Sequence, residues 1–324
     1  MSSYPILREW LQDAKPESPW LPFINGAAQD PGICDTLETI LQCMEQVNPV
    51  GLASLRKRFA DDDEGNTFGL RTELNLGFHF AQSGVPFRFG GTGQPDFYCA
   101  LRPAIWVEAR TRGRDDLRLL QRDLLLALGS ASVTVTISMQ RHLSISKGDR
   151  RAAIDGVVAA LRDGVPTNSV SVYLPEIAGT AAIAASPFGS ASVFVAPITS
   201  ELGDHMNEVE REVGNVVREK TEQSTRNGWS SDTLLVVDGS RLGMAWLRPE
   251  EIWAGRLEAL SPTWGTVPFL GVVVMFSGLT STSIRAFGIM DDGLDPSIQD
   301  SLDDVLGAIG LHVDWSTPNG PAAT

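Results

Sequence analysis

The chain has 324 residues, 43% of them hydrophobic and 20% charged, with a formal net charge of −14. That balance supplies core material for one large or two ordinary domains and excludes a chain disordered throughout. The acidic total argues against non-specific nucleic-acid binding, which rests on positive surface, and no stretch reaches the apolar length of a membrane span.

The N-terminus has no basic segment followed by a hydrophobic run, so the expectation is a cytoplasmic protein without membrane contact. Cys34, Cys43 and Cys99 lack metal-ligand spacing, which suits a reducing compartment.

Residues 1–65 read as an N-terminal helical region. Its clearest helix is Cys34 to Gln46, and its basic cluster is Arg56-Lys57-Arg58. The acidic run Asp61-Asp62-Asp63-Glu64-Gly65 reads as a solvated loop before the next region. A helix follows from Thr67 to Gln82, with Gly84 as its stop, then a strand from Val85 to Phe89. Glu73 sits in that helix with Leu76, Gly77 and Phe80 at the next positions of its face. This carboxylate therefore lies on an apolar stripe and needs a partner.

Gly90-Gly91-Thr92-Gly93 lacks the lysine and hydroxyl residue of a phosphate loop and reads as a turn between strands. Next come Gln94-Pro95-Asp96 and two period-2 segments, Asp96 to Leu101 and Ile105 to Arg110, with Arg102 and Pro103 as the turn. A hairpin about that turn sets Asp96 roughly opposite Glu108. Glu108 and Arg110, two apart, share a face. Paired carboxylates so placed can hold a divalent metal, with a cation beside them.

Six arginines lie between Arg102 and Arg122. They either pair with Asp115, Asp116 and Asp123 along a solvated helix or contact backbone phosphates. Asp115 to Leu128 reads as a helix, Val133 to Met139 as a strand and Gly148 to Arg162 as a helix. Val170 to Leu174, Ala181 to Ala185 and Ser192 to Ala196 read as short strands. Residues 130–197 form an inserted α/β elaboration without catalytic signature.

From Asp204 to about Thr225 a helix carries Val209, Val213 and Val216 on one stripe, whose next positions are Lys220 and Gln223. Lys220 is one of only four lysines. The strand Thr233 to Asp238, the helix Pro249 to Leu260, the apolar strand Phe269 to Phe276 and a helix from Pro296 to about Ile309 complete an α/β sheet covered by helices. Asp238 reads as a turn residue at a strand end, and Trp246, Trp253 and Trp264 as packing. Residues 316–324 read as a frayed tail.

Helix glutamate, strand, Pro-Asp and Glu-x-Arg on the next strand resemble the restriction-endonuclease-like, or PD-(D/E)xK, nuclease core. That resemblance implies a mixed central sheet flanked by helices, built from residues 66–129 and 198–315, with Asp96, Glu108 and Glu73 as metal carboxylates and the carbonyl of Ala109 as a further ligand. Mg²⁺ or Mn²⁺ is the implied cofactor, and a nucleic acid, DNA ahead of RNA, the implied substrate, cut by phosphodiester hydrolysis. The chain departs from the family at Arg110, where lysine is usual, since arginine stabilises charge but does not accept a proton. Lys220 with Gln223 looks like the lysine pair that some members carry on the neighbouring helix. The resemblance thus gives six candidate catalytic residues: Glu73, Asp96, Glu108, Arg110, Lys220 and Gln223. The alternative is a nuclease-like binding or assembly protein without catalysis, in which Arg110 neutralises the carboxylates internally; for either reading a homodimer or a partner protein is a further expectation.

Overall fold

The computed structural model describes residues 3–15, 18, 20–21, 31–61, 67–113, 115–129, 131–139, 145–162, 164–186, 191–197, 202–242, 250–264, 266–278 and 280–315. Most of the acidic run after Asp61, Trp246 and residues 316–324 lie outside them. The chain divides into two units, residues 1–113 with 205–324, and residues 114–204.

The first unit opens with α1 (Pro5–Trp10), α2 (Pro31–Val47), α3 (Leu52–Ala60) and α4 (Thr67–Gln82). It continues with β1 (Phe87–Phe89), β2 (Phe97–Cys99) and β3 (Ile105–Gly113). The second unit contributes α5 (Asp115–Leu128), β4 (Val133–Met139), α6 (Lys147–Ala160), β5 (Val170–Leu174), β6 (Gly179–Ala185) and β7 (Ser192–Pro197). The long helix α7 (Leu202–Asn227) leads back to the first unit, which ends with β8 (Thr233–Arg241), α8 (Glu250–Leu260), β9 (Gly271–Ser277), β10 (Ile284–Met290) and α9 (Pro296–Ala308).

The first unit is mixed α/β around a six-stranded sheet of order β1-β2-β3-β8-β9-β10. The β1-β2-β3 meander is antiparallel, β3 pairs parallel with β8 and β8 with β9, and β10 closes the far edge antiparallel. A parallel centre buried on both faces needs near-continuous apolar strands, and Leu234-Leu235-Val236-Val237 is one. Alternation sends Leu234 and Val236 into a core with α1 to α4 and α9, and Leu235 and Val237 into a core with α7 and α8. The N-terminal helices therefore share the core of α4, with Trp10 and Trp20 packed on Phe59.

The second unit is a four-stranded sheet of order β5-β6-β4-β7. It begins at Arg114, ahead of the expected start of the insertion at residue 130, because the apolar stripe Leu117, Leu120, Leu124 and Leu128 of α5 packs on Val133, Val135 and Ile137. The capping box of Ser146 and Asp149 starts α6 one residue before the expected Gly148.

One further expectation differs from the structure, and one strand was not expected at all. Asp238 ends no strand, since β8 runs on to Arg241 and buries Asp238 against α4. The strand β10 lacks clean alternation and escapes a pattern reading; its residues are mostly half-buried, as an edge strand allows. Trp253 is a core residue, as read. None of the described helices is long and apolar enough to cross a membrane.

Candidate functional site

The site grows from the hairpin. Phe97 faces Val107 and Cys99 faces Ile105 in antiparallel register, so the next pair toward the Gly-rich turn is Asp96 with Glu108. Here the ladder opens: the Ala109 N–H donates not to a main-chain carbonyl but to Asp96 Oδ2 at 2.9 Å. The turn is held by a close main-chain crossing, Gly90 N to Asp96 O at 2.7 Å, and a Cβ at Gly90 would stand 1.8 Å from the Pro95 carbonyl oxygen. Only glycine fits there.

Glu108 is 4% exposed and faces α7. Lys220, also buried, extends the apolar stripe of that helix and donates from Nζ to Glu108 Oε1 and to Gln223 Oε1, the latter at 2.9 Å. The Trp229 ring lies 5.9 Å from Lys220 Nζ, and its indole N–H donates to the Gly93 carbonyl at 2.7 Å. Trp229 thereby ties the end of α7 to the turn that precedes Asp96. No residue pattern pointed to it, since it lies just beyond the helix, after Gly228 in the left-handed region.

Glu73 is buried and held by a bidentate pair with Arg58, at 2.9 and 2.7 Å. The partner required by its place on an apolar stripe thus comes from the basic cluster on α3. The Arg110 side chain is exposed and makes no hydrogen bond or ion pair among the described residues. The closed pair of Arg110 with Asp96 and Glu108, on which the non-catalytic alternative rested, is not formed; Lys220 stands on Glu108 instead.

The electrostatics follow from this arrangement. Burial, then repulsion from Glu73 and Glu108, push the Asp96 carboxyl well above the usual carboxylate range, against the pull of the Ala109 N–H and Lys220. Glu108 is also raised, chiefly by burial, although the Lys220 ammonium and the Asp96 main-chain N–H hold it down. Asp96 thus feels both Glu73 and Glu108, and Glu108 feels Glu73. Among the described residues, no set of three His, Cys, Asp or Glu side chains is arranged to hold a metal. Asp96 and Glu108 are the pair left for one, with the Ala109 carbonyl on the same strand edge as the N–H that meets Asp96.

A second buried polar cluster lies on the α4 side of the sheet. Asp238 Oδ2 accepts from Thr72 Oγ1 at 2.5 Å, Thr72 Oγ1 meets Thr111 Oγ1 at 2.6 Å, and Asp238 Oδ1 accepts from the Ser240 N–H at 2.8 Å and from its hydroxyl. Beside it Arg71, 3% exposed, donates to Ser277 Oγ at 3.3 Å and to the Gly278 carbonyl. Of the arginine run, Arg112 pairs with Glu219 and Glu212 of α7, and Arg122 with Asp123.

No protein-family model matches the chain, and no curated protein or solved structure matches it.

Proposed function

We propose that the chain is a metal-dependent phosphodiesterase with a restriction-endonuclease-like core, acting on DNA or RNA. The order of helix α4, strands β1 to β3, helix α7 and strand β8, with β3 and β8 parallel, agrees with that core. The observation that carries the reading is the meeting of Asp96, Glu108 and Lys220 from three separate elements, with the lysine supplied by α7 rather than by the strand.

Asp96 and Glu108 would hold Mg²⁺ or Mn²⁺, whose chemistry is to lower the pKa of a bound water and to polarise the phosphoryl group. The donor set fits, since two carboxylates raised chiefly by burial, with Asp96 raised further by its acidic neighbours, gain from a cation between them. Lys220 stabilises the charge that develops on the phosphoryl oxygens, Gln223 orients the lysine, and Glu73 holds the water from the α4 side. Arg110, exposed on the same strand, meets the substrate backbone.

A non-catalytic binding or assembly role is the second reading. It is favoured by one observation: Glu108 and Glu73 are already paired with Lys220 and Arg58. Cleavage of single- and double-stranded DNA and RNA, with Mg²⁺ or Mn²⁺ and with chelator, separates the two. Metal-dependent cleavage that disappears in a folded Glu108→Gln variant is the expected result. A wild type that cuts none of them gives the protein to the second reading.

A further inference from the structure

The sheet face that carries Glu108 continues past the carboxylates to the β1 edge, and its side chains there form a ladder. Arg88, Tyr98 and Trp106 stand opposite one another across β1, β2 and β3. The Tyr98 and Trp106 rings meet edge to face at 4.8 Å, and the Arg88 guanidinium lies 4.7 Å from the first ring centre and 5.7 Å from the second. The two rings are half-buried and Arg88 is exposed. The apolar core on this side of the sheet, formed with α7 and α8, draws its strand residues from β8, β9 and β10 and none from β1 to β3.

Two features separate this ladder from ordinary edge packing. Trp106 is two residues from Glu108 on one strand, and Tyr98 is two residues from Asp96 on the next. Two residues along a strand span about 7 Å and return to the same face, so both rings adjoin the two carboxylates. The ladder itself contains no acid. Its charge is the Arg88 cation, with the exposed Arg110 on the far side of Glu108, in a chain that is acidic as a whole.

We infer that Arg88, Tyr98 and Trp106 form a platform for an unpaired nucleotide of a single-stranded segment, seated beside the carboxylate pair. This rests on the phosphodiesterase reading and names its substrate class. A base within a duplex has both faces covered by its neighbours, whereas an unpaired base offers a face to aromatic rings and to a flat guanidinium. A base on the ladder leaves its adjoining phosphate toward Asp96, Glu108 and Lys220. Arg88 contributes stacking and countercharge together.

The test is binding of fluorescently labelled oligonucleotides, as single strands of DNA and of RNA and as a blunt DNA duplex, to the non-cleaving Asp96→Asn protein. The single strand is expected to bind more tightly than the duplex. Trp106→Ala in that protein should weaken single-strand binding about tenfold, Trp106→Phe should restore most of it, and Arg88→Gln should weaken it and flatten its salt dependence. If Trp106→Ala unfolds the hairpin, the exposed Arg88 still decides the matter, with the melting temperature as control. Unchanged binding in folded Trp106→Ala or Arg88→Gln protein, or preference for the duplex, overturns the platform. It leaves the phosphodiesterase reading standing if the wild type still cuts duplex with metal. Absence of both oligonucleotide binding and metal-dependent cleavage removes the parent reading and the platform with it.

Discussion

Two polar clusters occupy opposite faces of one sheet, one around the buried Asp238 and one around the half-buried Asp96 with the buried Glu108, and they differ in how completely the two aspartates are satisfied by protein donors. Asp238 has hydrogen-bond donors on both oxygens, from Thr72 and from Ser240. Asp96 has the Ala109 N–H on Oδ2 and no partner for Oδ1 among the described residues, and it faces two other acids. A satisfied buried carboxylate fixes structure, here joining α4, β3 and β8. Acids held together with an incomplete set of donors cost stability, and a bound cation would recover that cost.

The largest effect expected from this contrast is in catalysis. Lys220→Met should lower the cleavage rate at saturating substrate by about 10²-fold or more, the scale for removing one preorganised donor, while Arg110→Ala changes it by less than about threefold. Single-turnover kinetics measure both. A large loss from Arg110→Ala with little from Lys220→Met would return the catalytic cation to the strand.

Removing Asp238 should act on the opposite quantity. Asp238→Ala removes the charged acceptor of Thr72 and Ser240 and the countercharge near the buried Arg71, and should cost about 3 kcal/mol of stability in denaturant unfolding. Metal affinity measured in the folded range should be unaltered. If affinity fell with stability, the two clusters would be one system.

The pH dependence sharpens the same contrast. Asp96 and Glu108 are raised in the folded state, so the folded form binds their protons more readily than the unfolded form. Their favourable contribution is complete below the ordinary carboxylate range, near pH ~4, and is lost as pH rises through the raised folded values. Metal-free Asp96→Asn protein should therefore melt at a higher temperature than the wild type at neutral pH. The gap should close as pH falls, and saturating Mg²⁺ should narrow it from the wild-type side. A melting difference independent of pH would show that repulsion among the acids is not its source.

The smallest effect concerns Glu73. Its partner Arg58 is about half exposed, so water replaces part of the lost pair, but Glu73 itself is buried and Arg58→Ala should cost about 1–2 kcal/mol. It should raise the affinity for Mg²⁺ modestly, because a competing cation is gone. Calorimetric titration of the two proteins reads this, and weaker binding in the variant would mean that Arg58 supports the site.

What the sequence disclosed and what it hid divide by range. The bounds of α4 follow from its apolar stripe and Gly84. The pairing of Asp96 with Glu108 follows from two alternating strands about a short turn. Lys220 could be singled out because a buried lysine interrupts a valine stripe. Each of these is a local pattern. The partner of Glu73 could be required but not named, since nothing in the spacing of Arg58 and Glu73 selects one residue of Arg56-Lys57-Arg58. The Thr72–Asp238 contact spans 166 residues, and Asp238-Gly239-Ser240 has the composition of a turn while lying within β8. The solvent-facing course of Arg110 was not visible either, because alternation gives its face but not what covers that face.

The most direct test of the central claim is calorimetric titration of Mg²⁺ and Mn²⁺ into the wild type and Asp96→Ala. The expected result is saturable binding by the wild type, weakening as pH falls and the raised carboxyls take up protons, and loss of that binding in folded Asp96→Ala protein. A wild type that binds neither ion, or a variant that binds both unchanged, would contradict it and leave Asp96, Glu108 and Lys220 as a buried ion-pair cluster with no metal to hold.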